Sequence, residues 1–133
     1  MKKHKLKAFS LTEVLVVLVI IGILVLLALP SLMPLITRAK STEAKVQLEH
    51  VYTLQQNYFY EYSKYSTNLE DIGFEHEKLV SEAGRANYRI EVIEASPNAF
   101  IARATSVTDF NGNGAFNVWE IDQEKNLREV TKD

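Results

Sequence analysis

From Val14 to Leu29 the chain runs sixteen residues without a charge, and one carboxylate, Glu13, stands immediately before them. The apolar stretch continues to Ile36, with Pro30, Ser31 and Pro34 as interruptions and Gly22 inside the run. Wound as a helix, it is long enough to cross a hydrocarbon layer of roughly 30 Å. Four lysines, Lys2, Lys3, Lys5 and Lys7, precede it. The positive-inside rule keeps that end cytoplasmic and puts everything beyond Leu35 outside the inner membrane. A cleaved secretory signal is the competing reading of a basic start followed by an apolar run. The run is longer than the usual signal core, has no A-x-A site after it, and carries Glu13, for which a signal peptide has no use.

A chain of 133 residues holds one compact domain and an appendage rather than two full domains. The net charge of −2 includes the four leading lysines, so the remainder carries −6. With no Lys/Arg cluster outside that end, no nucleic-acid footprint is expected. Cysteine is absent, which removes disulfides and thiolate metal sites.

Glu13 at the apolar end costs on the order of 1–3 kcal/mol unless it snorkels or meets a cation. No Lys or Arg lies between Phe9 and Thr37. Cutting the peptide bond before Phe9 would create an ammonium four residues from Glu13, able to pair within the chain or in a neighbour. The order basic leader, Ala8-Phe9-Ser10-Leu11-Thr12-Glu13, long apolar helix, Pro30 resembles the class III leader of type IV pilin and type II secretion pseudopilin precursors. In that family glycine is commoner where Ala8 stands. The resemblance implies that residues 1–8 form a leader removed by a prepilin peptidase between Ala8 and Phe9. It implies N-methylation of Phe9, and pairing of Glu13 with the amino end of an adjacent subunit during assembly. Residues 9–36 then form the transmembrane and filament-core helix, and 37–133 the periplasmic head.

Past the membrane, Ala44, Leu48, Val51, Gln55, Tyr58 and Tyr62 recur at intervals of three and four, opposite Lys40, Glu43, Lys45, Glu49 and Glu61. One helix is expected over 9–62, about 80 Å at about 1.5 Å per residue. The tyrosines are read as a core stripe facing a sheet rather than a ligand surface. Pro30 and Pro34 each remove a helix hydrogen bond and favour a kink, and Gly22 weakens the run before them. In the family the segment corresponding to Gly22–Pro30 can loosen within the filament. "YSTNLEDIGF", residues 65–74, reads as an irregular connection. Strands are expected over 88–95 and 100–107, joined by a turn at "ASPNA", and over 118–122 and 127–131 around "QEKN". The fold class is α+β: one long helix, half membrane and half amphipathic, on a four-stranded antiparallel sheet, as in pilins.

Between the hairpins, "DFNGNGAFNVWE" places Asp109, Asn111 and Asn113 at alternate positions, then Gly114 and, at the twelfth residue, Glu120. This is the spacing of a calcium loop, with Asp122 on the same strand face as Glu120. The resemblance adds weight, since major pseudopilins hold calcium near the carboxyl end. Asn-Gly-Asn-Gly is equally what a plain turn between strands uses. His50 and His76 have no i, i+4 partner and no cysteine, so a metal role is disfavoured.

No Ser/His/Asp cluster, nucleotide loop or H-E-x-x-H motif is present, and no organic cofactor is expected. The chain reads as a structural filament subunit, with a solitary membrane-anchored, calcium-binding periplasmic module as the competing class. Lack of cysteine, a short head and the calcium spacing favour the major pseudopilin of a type II secretion system. A surface type IV pilus subunit serving adhesion, twitching or DNA uptake is the alternative. The partners implied are further copies of the chain, the prepilin peptidase, an inner-membrane assembly platform with its ATPase, and minor pilins or pseudopilins.

Overall fold

The computed structural model describes residues 10–133. The expected leader, and the expected cleavage and methylation positions Ala8 and Phe9, lie outside the described residues. Helix α1 spans Leu11–Tyr62, and a short 3-10 turn lies at Val80–Glu82. Four strands follow: β1 (Tyr88–Ala95), β2 (Phe100–Ser106), β3 (Val118–Asp122) and β4 (Leu127–Thr131). The chain divides into one compact unit ending at Leu35 and another over Ile36–Asp133.

In the first unit the backbone is helical through Gly22, Pro30 and Pro34. The segment Leu11–Leu29 has a mean hydropathy of 3.0, and none of it is buried against the rest of the chain. An apolar helix with no covered side needs another phase, lipid or other helices, around its whole circumference.

In the second unit the buried residues Ser41, Ala44, Leu48, Val51 and Gln55 follow one another at steps of three and four along α1. That spacing lines one face of a 3.6-residue helix. The sheet runs in the order β1-β2-β3-β4, all neighbours antiparallel. Alternation sends Phe100, Ala102 and Ala104 of β2 into the core, together with Tyr88, Ile90 and Val92 of β1 and Ile121 of β3. Ala102 and Ala104 are fully buried and small, so the helix stripe packs against a low floor between the larger Tyr88 and Phe100. Ile72 and Phe74, from the connection after α1, join the same core.

The tyrosine stripe ends earlier than its spacing suggests. Tyr58 is half-buried, but Tyr62 is 54% exposed and meets the Tyr58 ring in a tilted contact, at 4.5 Å between centroids. The helix stops there. Ser63 takes a left-handed φ of 55°, and its N–H closes on the Phe59 carbonyl at 2.7 Å. Tyr65 then folds back to Phe100, at 4.9 Å between ring centroids.

Gln55 ties this return to the helix. Its Nε2 donates to the Ser66 carbonyl at 2.7 Å, and its Oε1 accepts the Ser66 N–H at 3.1 Å, all of it buried. Replacing Gln55 by Leu keeps the volume but strands both backbone groups away from water. The expected cost is about 1–3 kcal/mol, read as a lower urea midpoint for the full chain in detergent micelles; an unchanged midpoint would show that Ser66 finds water instead.

Candidate functional site

The start of α1 carries the first group of functional residues. Ser10 caps the helix: its Oγ accepts the Glu13 N–H at 3.3 Å, and its carbonyl accepts the Val14 N–H at 3.2 Å. Ser10-Leu11-Thr12-Glu13 is an S-x-x-E capping sequence, legible in the chain itself. Glu13 lies in the first turn, where the helix dipole favours negative charge. Its carboxylate therefore suits the helix end even before any ammonium arrives. Among the described residues one helix, Leu11–Leu29, is long and apolar enough to cross a membrane.

The second group sits at the loop between β2 and β3, and here the structure separates what the spacing put together. Asp109 turns its carboxylate on the loop's own amides: Oδ1 accepts the N–H of Gly112 at 2.9 Å and of Asn113 at 3.2 Å, and Oδ2 that of Gly114 at 2.5 Å. The Gly114 N–H above all, with those of Gly112 and Asn113 and the neighbouring Asp133 carboxyl, outweighs partial desolvation and holds Asp109 below the usual carboxylate range. The side-chain oxygens of Asn111 and Asn113 likewise accept the N–H groups of Asn113 and Ala115. Gly112 and Gly114 take φ values of 76° and 86°, which the bend requires.

Glu120 is not a member of this group. Its strand position pairs it with Arg103 of β2 and Arg128 of β4 across the outward face of the sheet. Oε2 meets Arg103 at 2.6 Å and Oε1 meets Arg128 at 3.1 Å, so both oxygens are engaged. Burial pushes its pKa up, and the hydrogen bonds and charges of Arg103 and Arg128 pull it down further, for a net depression. Asp122 is equally occupied, as the turn former between β3 and β4: its Oδ1 accepts the N–H of Glu124 at 2.9 Å and of Asn126 at 3.0 Å. The twelve-residue spacing counts along the chain, whereas β3 pairing decides where residue twelve points.

Asp133, absent from the sequence reasoning, does reach the loop. Its Oδ2 accepts the Phe110 N–H at 2.6 Å, and its Oδ1 is buried with no donor facing it. For calcium the oxygens therefore fit only in part: Asp109, Asn111 and Asn113 stand together with Asp133, while Glu120 and Asp122 belong to other interactions. Two further residues carried no signal in the sequence. Asn117, fully buried, accepts from Tyr88 Oη and Trp119 Nε1 and donates to Glu129 and the Thr131 carbonyl, joining the β4 end to β1. His76 accepts the Ile90 N–H on the open edge of β1 through Nε2, at 2.9 Å.

This arrangement, an uncovered apolar helix with a capped acidic start leading into an α+β head, is that of a pilin-like protein. Residues 3–29 match the family described as the prokaryotic N-terminal methylation motif. Over 84 residues, 63% of its length, the chain is 37% identical to the type IV major pilin protein PilA of Myxococcus xanthus (strain DK1622). The match spans 36% of that relative's length. At its amino end the chain thus carries an N-terminal methylation motif, and over somewhat more than half of its length it is similar to a type IV major pilin.

A pH experiment isolates Glu120. Because its folded pKa is depressed, its contribution is complete above the unfolded carboxylate pKa and is lost as pH falls through the folded value. Arg103 and Arg128 are 39% and 65% exposed, so screening reduces the loss expected for a fully buried pair. Glu120→Gln is expected to cost about 1–2 kcal/mol at pH 7. The difference from the native chain should shrink steadily as acid unfolding titrations move from pH 5 to pH 2, and a pH-independent difference would point to packing instead.

Proposed function

We propose that the chain is a structural subunit of a type IV pilus-like filament. The observation that carries this reading is the capped apolar helix Leu11–Leu29, uncovered by its own chain, behind an N-terminal methylation motif. Before assembly the helix anchors a single-pass precursor in the bacterial inner membrane, with the amino end cytoplasmic and the head periplasmic. Prepilin peptidase cuts between Ala8 and Phe9 and methylates Phe9. The helices then bundle in the filament, where their apolar sides cover one another, and Glu13 meets the new ammonium of a neighbouring copy. An assembly platform with its ATPase, and minor subunits, complete the partners. The role is structural rather than enzymatic.

Within that class, a surface pilus is the better supported reading. The similar Myxococcus protein is a type IV major pilin. One of the three sequence arguments for a type II secretion pseudopilus is a calcium ligand set that includes Glu120, which two arginines engage. A periplasmic pseudopilus is the second reading, favoured by the short cysteine-free head.

Shearing live host cells and immunoblotting the released fibres tests this directly. Native chain in sheared fibres is expected; its retention in the envelope would favour the pseudopilus. Glu13→Ala should remove the chain from filaments while leaving its membrane level unchanged, and wild-type amounts in filaments would defeat the assembly role. Calcium at the loop is proposed for the narrower set Asp109, Asn111, Asn113 and Asp133. Titration should then release heat and raise the melting temperature, with affinity in the weak range of roughly 10⁻⁴ to 10⁻³ M. Absence of both effects, or their survival in Asp109→Asn, would remove calcium from this loop.

A further inference from the structure

The sheet order leaves β1 and β4 as edges, each with one side open to pairing among the described residues. On β1 the alternation of an antiparallel ladder turns the Ile90 and Val92 amides away from β2. Residues 65–76 run past this side but touch the edge backbone at two points only: the Tyr65 N–H on the Ser96 carbonyl at 3.3 Å, and His76 on the Ile90 N–H. No partner is found for the Val92 amide among the described residues. Between those points lies a groove of about 830 Å³, bounded by Asn68 and Leu69 on one side and Ile90–Val92 on the other. Its charged lining is acidic: Glu70, Glu75 and Glu91 are exposed, and no lysine or arginine accompanies them.

The opposite edge carries the complementary sign. Along β4 and the residue after it, Arg128, Val130 and Lys132 are exposed at alternate positions; Arg128 already holds Glu120 of its own head through one nitrogen yet is 65% exposed, and Glu129 turns inward to Asn117. One molecule thus offers an acidic groove beside an incomplete strand edge and a basic strand at the other edge. We propose that β4 of a second copy docks along the β1 edge, adding its backbone to the sheet and setting Arg128 and Lys132 against Glu70, Glu75 and Glu91. Strand addition of this kind takes its affinity from main-chain hydrogen bonds and its choice of partner from side chains at alternate positions. The contact is heterologous, so a docked pair still offers one free β1 edge and one free β4 edge and the pairing propagates. It rests on the filament reading for its setting, though two heads suffice to form it.

Two measurements separate this interface from the filament reading. In the first, a labelled peptide of residues 126–132 (NLREVTK) is titrated with the full chain in detergent micelles, which requires no filament. Saturable binding is expected, weakened about tenfold between 50 mM and 500 mM salt and by the double variant Glu75→Lys, Glu91→Lys. No binding, or equal binding of a scrambled peptide, would overturn the docking. The second uses the absence of native cysteine. Glu91→Cys with Lys132→Cys is oxidised in host membranes and sheared fibres, with Thr53→Cys and Lys132→Cys as the control pair. A ladder of linked copies specific to the first pair supports the proposal. Peptide binding without that ladder, in fibres that form normally, would overturn the second copy as occupant and leave the groove to a strand from another protein.

Discussion

The head depends on one shared core, in which Ala44, Leu48 and Val51 of α1 are buried together with Ala102 and Ala104 of β2. An amphipathic half-helix cannot hold itself together in water by propensity alone, and a four-stranded sheet needs something over its apolar face. Each supplies what the other lacks. Ala102 and Ala104 let the helix approach, Tyr88 and Phe100 flank that low floor, and Ile72 and Phe74 add to the core from the connection. Buried polar groups are placed where this contact would otherwise leave backbone unsatisfied: Gln55 serves Ser66, and Asn117 links the sheet end to Tyr88 and Trp119.

The membrane half of α1 obeys the opposite rule. It is apolar on every side and spends none of that surface inside the chain. In lipid that surface needs no further partner; outside lipid it demands other helices. On the proposed filament reading, a single segment can therefore serve as both anchor and polymer core. Glu13 sits at a capped helix start where negative charge is favoured, which is where the proposed pairing with a neighbour's ammonium would fall.

The loop between β2 and β3 shows how local chemistry and sheet pairing compete for the same residues. Its Asp and Asn side chains close the bend on their own amides. Glu120, two residues into β3, answers to its cross-strand neighbours instead. The spacing of a cation loop survives in the chain, while the carboxylate that would close it stands between two arginines.

Periodicity by itself determined most of the architecture. The apolar run, the three-and-four stripe and the paired alternating segments named the helix, its buried face and all four strands, with β2 one residue shorter than expected. These are local patterns, set by the 3.6- and 2-residue repeats of the backbone, and the leader motif is likewise read along the chain. What only the tertiary structure decided are contacts between residues far apart in sequence. Arg103 and Arg128 meet at Glu120 because three strands pair in a given register. Tyr65 meets Phe100 because the chain turns back at Ser63. Asp133 reaches Phe110, and His76 reaches Ile90, through loops whose paths no repeat encodes. Such contacts arise when packing brings separate segments together, so they leave no period or spacing along the chain for a sequence reading to find.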